Sequence, residues 1–439
     1  MEQFNNSKKF QEIINSLNNN KFKDALDEIK KLSSELPNNL MIDKLLATIY
    51  FKKMDWKKSI KYHYKILINE KDKYKIYTNI GFAYFKLGEI QKSIDAYKKS
   101  IEDNPNFEIA YSNLAISYIE LGFYEKACSN FLKLLKINKN NIFAQKYLIY
   151  LLNFIKPENI KDHPLLEINS KIKSVVNNLN VVDFKKIDNL KKILTEGDDI
   201  IEKYYKNLSF EETQIYRKNS KDLNCKRHFK IFKNFNVIPK FCFSCFKVQI
   251  ILKCVVDLIK LYFVFDNLNL KKNNIRKCIV ELRNNVKGNY KGYIYCEGLE
   301  DAKNIKEKIN DLLINDMFEN YKIEIKHGCT EYYKSYPKFK NINLNGEEEV
   351  LLYNKNWKIK EDLVDKLEPL RSQPDKKVWV SSIRGINLSD ILIIKNWINY
   401  AHLIGDSSYK RIYDKKINNT FINNALHNQL DFRVKDLEQ

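Results

Sequence analysis

Apolar and small residues recur along the first third of the chain at a spacing of 34 residues. In the segment 74–107, Ile80 and Gly81 lie in one predicted helix and Tyr97 in a second, and Pro105 then ends the unit. The equivalent positions are Leu114, Ala115 and Phe131 one repeat later, and Leu46, Ala47 and His63 one repeat earlier. A period of this length, built from two helices, is typical of stacked helical hairpins. The pattern therefore predicts an N-terminal α-solenoid.

These residues resemble the tetratricopeptide repeat (TPR) family. Four units are predicted at 6–39, 40–73, 74–107 and 108–141, with small residues where the two helices of a hairpin meet. The apolar stretch 142–155 is expected to cap the last unit, so that residues 1–155 form one repeat domain. Tyr77 and Tyr111 stand where the family usually has tryptophan.

The resemblance implies that the concave face, built from the first helix of each hairpin, binds an extended peptide or a helix. A plain spacer is the alternative. The predicted groove residues are Lys44, Thr48, Phe51, Thr78, Asn79, Phe82, Phe85, Ser112, Asn113 and Ile116. Asn79 and Asn113 occupy positions that often hydrogen-bond a ligand backbone in such proteins. The mixture of lysine, asparagine and phenylalanine suits an acidic peptide that carries aromatic residues.

The remaining chain divides into three predicted segments. Residues 156–224 form an irregular helical bridge. Residues 225–345 show alternating and helical periods in the order β–α–β–β–α–β, with strands at 245–252, 276–283, 292–296 and 321–327 and helices at 255–268 and 299–314. That order predicts a ferredoxin-like domain whose antiparallel strands stand in the order 4-1-3-2. Residues 346–439 form a helical C-terminal extension, which includes a helix capped by Ser389 or Asp390 and ended by Gly405.

Seven of the eight cysteines lie in or beside this predicted α/β domain. Cys225, Cys242, Cys245, Cys278, Cys296 and Cys329 are the candidate metal ligands, and Cys242 and Cys245 form a lone C-x2-C. The topology places five of them, all but Cys225, at one end of the sheet, where thiolates can hold zinc or an iron–sulfur cluster. His228 and His327 are possible additional ligands. Cysteines that simply pack in the core, or a redox-active pair, are the alternatives.

Charge and composition narrow the class of partner. The formal net charge is +21, but only eight of the 76 basic residues are arginine, the side chain best suited to phosphate and base contacts. The sequence therefore does not favour a nucleic-acid partner. The sequence has neither a signal-like N-terminus nor a continuous apolar span, so no membrane association and a cytoplasmic location are expected.

The sequence favours an interaction scaffold joined to a cysteine-rich α/β domain. The alternative is an enzyme or a thiol-redox protein that acts, through the cysteine site, on a peptide or protein recruited by the repeats. No catalytic residue can be named, because the chain has no phosphate loop, nucleophile elbow or HExxH motif. Arg276 and Arg283 are expected to form ion pairs with Glu281 or Glu331, or to bind an anion.

Overall fold

The computed structural model describes residues 2–37, 39–68, 70–156, 163–177, 186–205, 208, 210–218, 223–272, 274–315, 318, 320–341, 351–367, 384–415 and 420–438. Parts of the predicted bridge and of the C-terminal extension, notably 178–185 and 368–383, lie outside these ranges. The chain divides into two compact units. The first holds Met1–Ala144, and the second holds Gln145–Leu367 and Pro374–Gln439.

The first unit consists of consecutive helices joined by short turns. The helices are α1 (Glu2–Asn18), α2 (Phe22–Glu35), α3 (Leu40–Lys52), α4 (Trp56–Leu67), α5 (Lys73–Lys86), α6 (Ile90–Asp103), α7 (Glu108–Glu120) and α8 (Tyr124–Ile137), and α9 (Ile142–Leu151) crosses into the second unit. From α1 to α8, each helix packs against the next one along the chain, as a stack of hairpins requires. All four predicted hairpins are present.

A glycine sets the distance between the two helices of the third hairpin. A Cβ atom added to Gly81 on α5 would lie 2.7 Å from Cε1 of Tyr97 on α6. Tyr97 is almost fully buried, so its ring has little room to move. The small residue at this position is therefore a packing requirement, as the repeat pattern predicts.

The second unit is a five-stranded sheet with helices around it. Its strands are β1 (Gln214–Arg217), β2 (Cys245–Leu252), β3 (Arg276–Val280), β4 (Tyr290–Glu297) and β5 (Lys322–His327). Its helices are α10 (Pro164–Asn177), α11 (Ile187–Tyr204), α12 (Cys225–Phe235), α13 (Val255–Asn267), α14 (Leu299–Asn315), α15 (Lys355–Leu367), α16 (Leu388–Ile404), α17 (Thr420–Leu426) and α18 (Leu430–Glu438).

The strands stand in the order β1-β3-β4-β2-β5, and every neighbouring pair is antiparallel. The four predicted strands thus have the expected neighbours. The added strand β1 lies in the segment that was predicted as a helical bridge, and that part of the prediction was wrong. β1 has only four residues, and it is held by pairing with β3, a contact that a local pattern cannot reveal.

The two faces of the sheet differ in chemistry. A Cβ atom on Gly292 of β4 would overlap the side chain of Leu261 on α13 and lie 3.0 Å from Cζ of Phe265, so this face is the one that the helix covers. Val248, Ile250 and Ile294 share that face and are fully buried. Because side chains alternate along a strand, Lys247, Gln249, Tyr293 and Tyr295 lie on the opposite face.

Helix α16 is the central helix of the second unit, and nearly all of its side chains are buried. It packs against α10, α11, α13 and β1. Its N-cap is Asn387, whose side chain accepts a hydrogen bond of 3.0 Å from the backbone N–H of Asp390, and Asp390 completes a capping box. The predicted cap at Ser389 or Asp390 was therefore wrong. The predicted end at Gly405 is confirmed, with φ at 88°.

None of the helices in the described ranges is both long enough and apolar enough to cross a bilayer.

Candidate functional site

An aromatic cluster joins the second and third hairpins. The ring of Phe51 on α3 lies 5.5 Å from that of Phe82 on α5, and both contact Trp56 at the start of α4, at 5.6 and 5.8 Å between centroids. All three side chains are only partly buried. The ammonium of Lys86 lies 4.9 Å from the centre of the Phe82 ring. The cluster therefore offers an apolar surface with a cation beside it.

Asn79 lies beside this aromatic cluster with its orientation fixed by a buried histidine. Nδ1 of His63 lies 2.8 Å from the carbonyl oxygen of Ser59, so Nδ1 carries the proton and donates. Burial lowers the pKa of His63, which keeps the ring neutral, and its Nε2 accepts from Nδ2 of Asn79 at 3.3 Å. The Oδ1 atom of Asn79 has no hydrogen-bond partner in the described part of the chain, so it remains able to accept one from a ligand.

The other predicted groove residues differ in how accessible they are. Thr48 is exposed, and Lys44 is paired with Glu70 at 2.5 Å. On α5 and α7, Phe85, Ser112, Asn113 and Ile116 are partly buried. The prediction of Thr78 as a groove residue was wrong. Its side chain is buried inside the third hairpin, where its Oγ1 lies 2.8 Å from Oγ of Ser100. Trp56 was missed, since it begins a second helix whereas the groove was predicted from first helices.

The candidate metal ligands fall into different environments. Cys242 packs with Ile238, Tyr332 and Phe339 in a separate apolar cluster of the second unit, and burial raises the pKa of its thiol. Cys278 and Cys296 lie on the helix-covered face, whereas Cys245 lies on the opposite face. Cys278 pairs with Gly292, four residues from Cys296 along β4, which corresponds to about 13 Å. The predicted meeting of these cysteines in one corner does not occur.

Cys329 is close to a lysine. Nζ of Lys247 lies 3.3 Å from Sγ of Cys329 and 3.1 Å from the carbonyl oxygen of Gly328. Both ring nitrogens of His327 face backbone carbonyls, those of Phe339 and Phe243. Cys225 is exposed at the start of α12. Within the described ranges, no group of three or more His, Cys, Asp or Glu side chains is placed to hold a metal ion.

The face of the sheet opposite α13 carries an ordered set of polar side chains. One row crosses all five strands through Glu324, Gln249, Tyr293, Lys277 and Tyr216, each the register partner of the next. The adjacent row holds Lys326, Lys247 and Tyr295. These eight residues are called the polar face below.

A cavity of about 220 Å³ lies at the β1 edge of the second unit. Gln214 and Tyr216 of β1 form one side of it, and Ser389 and Asp390 of α16 form another. Nζ of Lys277 lies 3.2 Å from Oε1 of Gln214, so the cavity adjoins the polar face.

The stacked hairpins place the first unit in the class of helical repeat scaffolds. Residues 81–122 match the family profile described as TPR repeat, and residues 109–141 match the one described as tetratricopeptide repeat. The chain therefore contains a tetratricopeptide repeat segment.

Several solved structures resemble part of the chain. A crystal structure of MamA is 21% identical and covers 43% of this chain and 96% of its own, with a TM-score of 0.30. The first TPR of Spaghetti (RPAP3) bound to the HSP90 peptide SRMEEVD is 21% identical over 26% of this chain and 89% of its own, with a TM-score of 0.24. The Arabidopsis OM64 TPR domain is 18% identical and covers 26% of this chain and 93% of its own, with a TM-score of 0.24. No curated protein matches the chain.

Proposed function

We propose that the chain is an interaction protein whose tetratricopeptide segment binds an acidic peptide that carries an aromatic residue. The cluster of Phe51, Trp56 and Phe82 supports this proposal most directly. Partly exposed aromatic rings in contact across two repeats form an anchor for an apolar or aromatic side chain.

The chemistry around the aromatic cluster favours an acidic ligand. Lys52 and Lys86 are exposed in the last turns of α3 and α5, close in sequence to Phe51 and Phe82. Carboxylates of a bound peptide would interact with these ammonium groups, and the free Oδ1 of Asn79 would accept a hydrogen bond from its backbone. The contribution of the exposed charges is expected to fall as salt is added.

Binding of labelled peptides to the full chain tests this proposal. The probes are SRMEEVD, a version of it with Phe in place of Met, and a version in which both Glu residues are Gln. We expect the Phe version to bind best, and Phe82→Ala to weaken it at least tenfold, as truncation of an aromatic anchor commonly does.

Tyr64→Ala is the matched control, because it removes an exposed ring from α4, a second helix of a hairpin. This variant should bind as the wild type does. Equal affinity of wild type and Phe82→Ala, or equal affinity for the charged and amide peptides, would contradict the proposed site.

For the second unit we propose a ferredoxin-like arrangement extended by the edge strand β1. The sheet order and the two crossover helices α13 and α14 support this assignment. A cytoplasmic location is also proposed here. The alternative function, an enzyme or redox protein acting through the cysteines, stays a prediction.

A zinc or iron–sulfur site stays a prediction, with elemental and sulfide analysis of the full chain, purified without oxygen, as its test. Burial raises the pKa of the thiols of Cys242 and Cys278, which argues for a metal-free protein. We therefore expect less than about 0.1 metal per chain, on the ground that ligands must be deprotonated and converge. Finding one equivalent of zinc per chain, or iron together with sulfide, would support the predicted metal site at the cysteines.

A further inference from the structure

In the part of the chain that the structure describes, none of the three lysines of the polar face is paired with a carboxylate. Among the described residues, Lys247 bonds to a carbonyl oxygen and a thiol, Lys277 to the amide of Gln214, and Lys326 to the hydroxyl of Thr330. Buried or partly buried cations normally have an anion close by, because removing a charge from water is costly. Here the positive charges of the lysines instead repel one another.

The nearby carboxylates are already engaged with other cations. Glu281 is paired with Arg283 and Lys291, and Glu331 is paired with Arg283. Glu324 is paired with Lys322 and accepts a hydrogen bond from Gln249. The polar face therefore has an excess of positive charge that its neighbours in the described ranges do not neutralise.

Two buried polar atoms on the same row have no hydrogen-bond partner among the residues that the structure describes. Oε1 of Gln249 and the hydroxyl of Tyr293 are inaccessible and unbonded, and their residues are only 5% and 4% exposed. The amide nitrogen of Gln249 is used by Glu324, so its free atom is an acceptor. Unsatisfied buried groups of this kind are uncommon in native proteins and call for a partner.

We propose that the polar face and the adjoining cavity bind a nucleotide. Its phosphate would lie among Lys247, Lys277 and Lys326. Its base would occupy the cavity against the ring of Tyr216, which lines the cavity and lies 5.5 Å from Nζ of Lys277. Stacking of bases on aromatic side chains does not depend on sequence, and a lysine ammonium binds phosphate as a point charge.

The same chemistry is met by a free nucleotide and by one nucleotide within a single strand of RNA. Calorimetric titration of the full chain distinguishes them, with inorganic phosphate, the four nucleoside monophosphates and a mixed eight-residue single-stranded RNA as probes. We expect at least one nucleotide or the RNA to bind at least tenfold more tightly than inorganic phosphate. Binding by the monophosphates identifies a free nucleotide as the ligand, and binding by the RNA alone identifies a strand.

Two variants separate the parts of the site. Lys277→Met should weaken nucleotide binding at least tenfold and raise the melting temperature of the ligand-free protein, because it removes an unpaired cation. Tyr216→Ala should weaken the binding of nucleotides and leave the binding of inorganic phosphate unchanged. Lys326→Met replaces Lys277→Met if the latter does not fold.

Lys306→Met is the matched control, since Lys306 is exposed on α14 and the substitution removes the same charge. It should bind as the wild type does. The proposal is overturned if no probe binds, if inorganic phosphate binds as tightly as every nucleotide, or if Lys277→Met retains wild-type affinity.

Discussion

At the residue scale, the ammonium of Lys277 lies among groups that oppose its charge. It is surrounded by side chains from β1, β2 and β4, from the loop after β3, from α12 and from the segment after β5. The titratable groups that face it are Lys247, Arg283, Tyr216, Tyr293, Tyr295, Cys225 and Cys329. The tyrosine rings attract the cation through their π faces, and Oε1 of Gln214 accepts a hydrogen bond from it, but burial and the neighbouring cations outweigh these contacts. The charged form of Lys277 is thus disfavoured in the folded protein.

The pH dependence of stability should reveal this lysine. Its pKa is lowered from its ordinary value of 10.5 to about 8, so between these values the unfolded chain holds a proton that the folded chain has lost. Stability contributed by this group therefore rises with pH over that window, by at most about 1.4 kcal/mol per pH unit. Denaturant unfolding at pH 7, 8, 9 and 10 should give wild-type values that rise relative to those of Lys277→Met. Lys306→Met should track the wild type, and parallel curves for all three would contradict the lowered pKa.

Ion pairs show what a sequence can and cannot indicate about single residues. Arg283 pairs with both Glu281 and Glu331, as expected. Arg276 was expected to do the same, but its guanidinium donates to the carbonyl oxygens of Asn274, Phe265 and Leu268. Nothing local distinguishes the two arginines, because the difference depends on which loop of the folded chain reaches each side chain.

At the element scale, most strands and helices of the second unit follow from the pattern of apolar residues. The strand Cys245–Leu252 has the predicted bounds, and α13 and α14 differ from prediction by one residue each. These segments are long and strongly periodic, so local preference and tertiary packing agree. β1 is short and was missed, and the cap of α16 was misplaced by two or three residues because Asn387, Ser389 and Asp390 are all good capping residues.

The approach of α13 to the sheet depends on Gly292. Gly292→Ala should destabilise the second unit by about 1–3 kcal/mol, because the added methyl group overlaps Leu261 and Phe265. Chemical denaturation followed by circular dichroism measures this. Gly197→Ala in α11 is the matched control, since its Cβ would lie at an ordinary 3.4 Å from Ile391 and alanine is the better helix former. It should be neutral or stabilising, and equal losses in both variants would exclude the packing explanation.

At the scale of the whole molecule, the chain has two cores that belong to separate units. Substitutions in one core are therefore expected to leave the other folded. Two fully buried cysteines allow a symmetrical test, Cys128 on α8 in the first unit and Cys278 on β3 in the second.

Cys278→Ser should lower the stability of the second unit by about 1–3 kcal/mol, because it buries a hydroxyl in an apolar site. Amide hydrogen exchange should show faster exchange in β3 and β4 and unchanged protection in α5 to α8. Cys128→Ser should instead give faster exchange in α5 to α8 and unchanged protection in β3 and β4. Loss of protection in both units from either variant would show that they unfold together.

The residues of the candidate sites differ in how far the sequence predicts their positions. The repeat surface was predictable because its residues recur at a fixed spacing, although Thr78 points into its own hairpin. The cysteines were placed at one end of the sheet by topology alone, which ignores face and row. Cys278 and Cys296 share a face but lie in different rows, and Cys245 shares an end with Cys296 but lies on the other face. The polar face arises only when five strands align their side chains across the sheet.

The two outermost strands of the sheet have a further consequence, for the behaviour of the protein at high concentration. An exposed strand edge can pair with another chain and seed aggregation. β1 offers only four residues and is packed against α16, while β5 carries a charged side chain at every second position, Lys322, Glu324 and Lys326. Both edges of the sheet are thus poor templates for a foreign strand, and the lysines that leave the polar face positively charged also help to keep the sheets of different molecules apart.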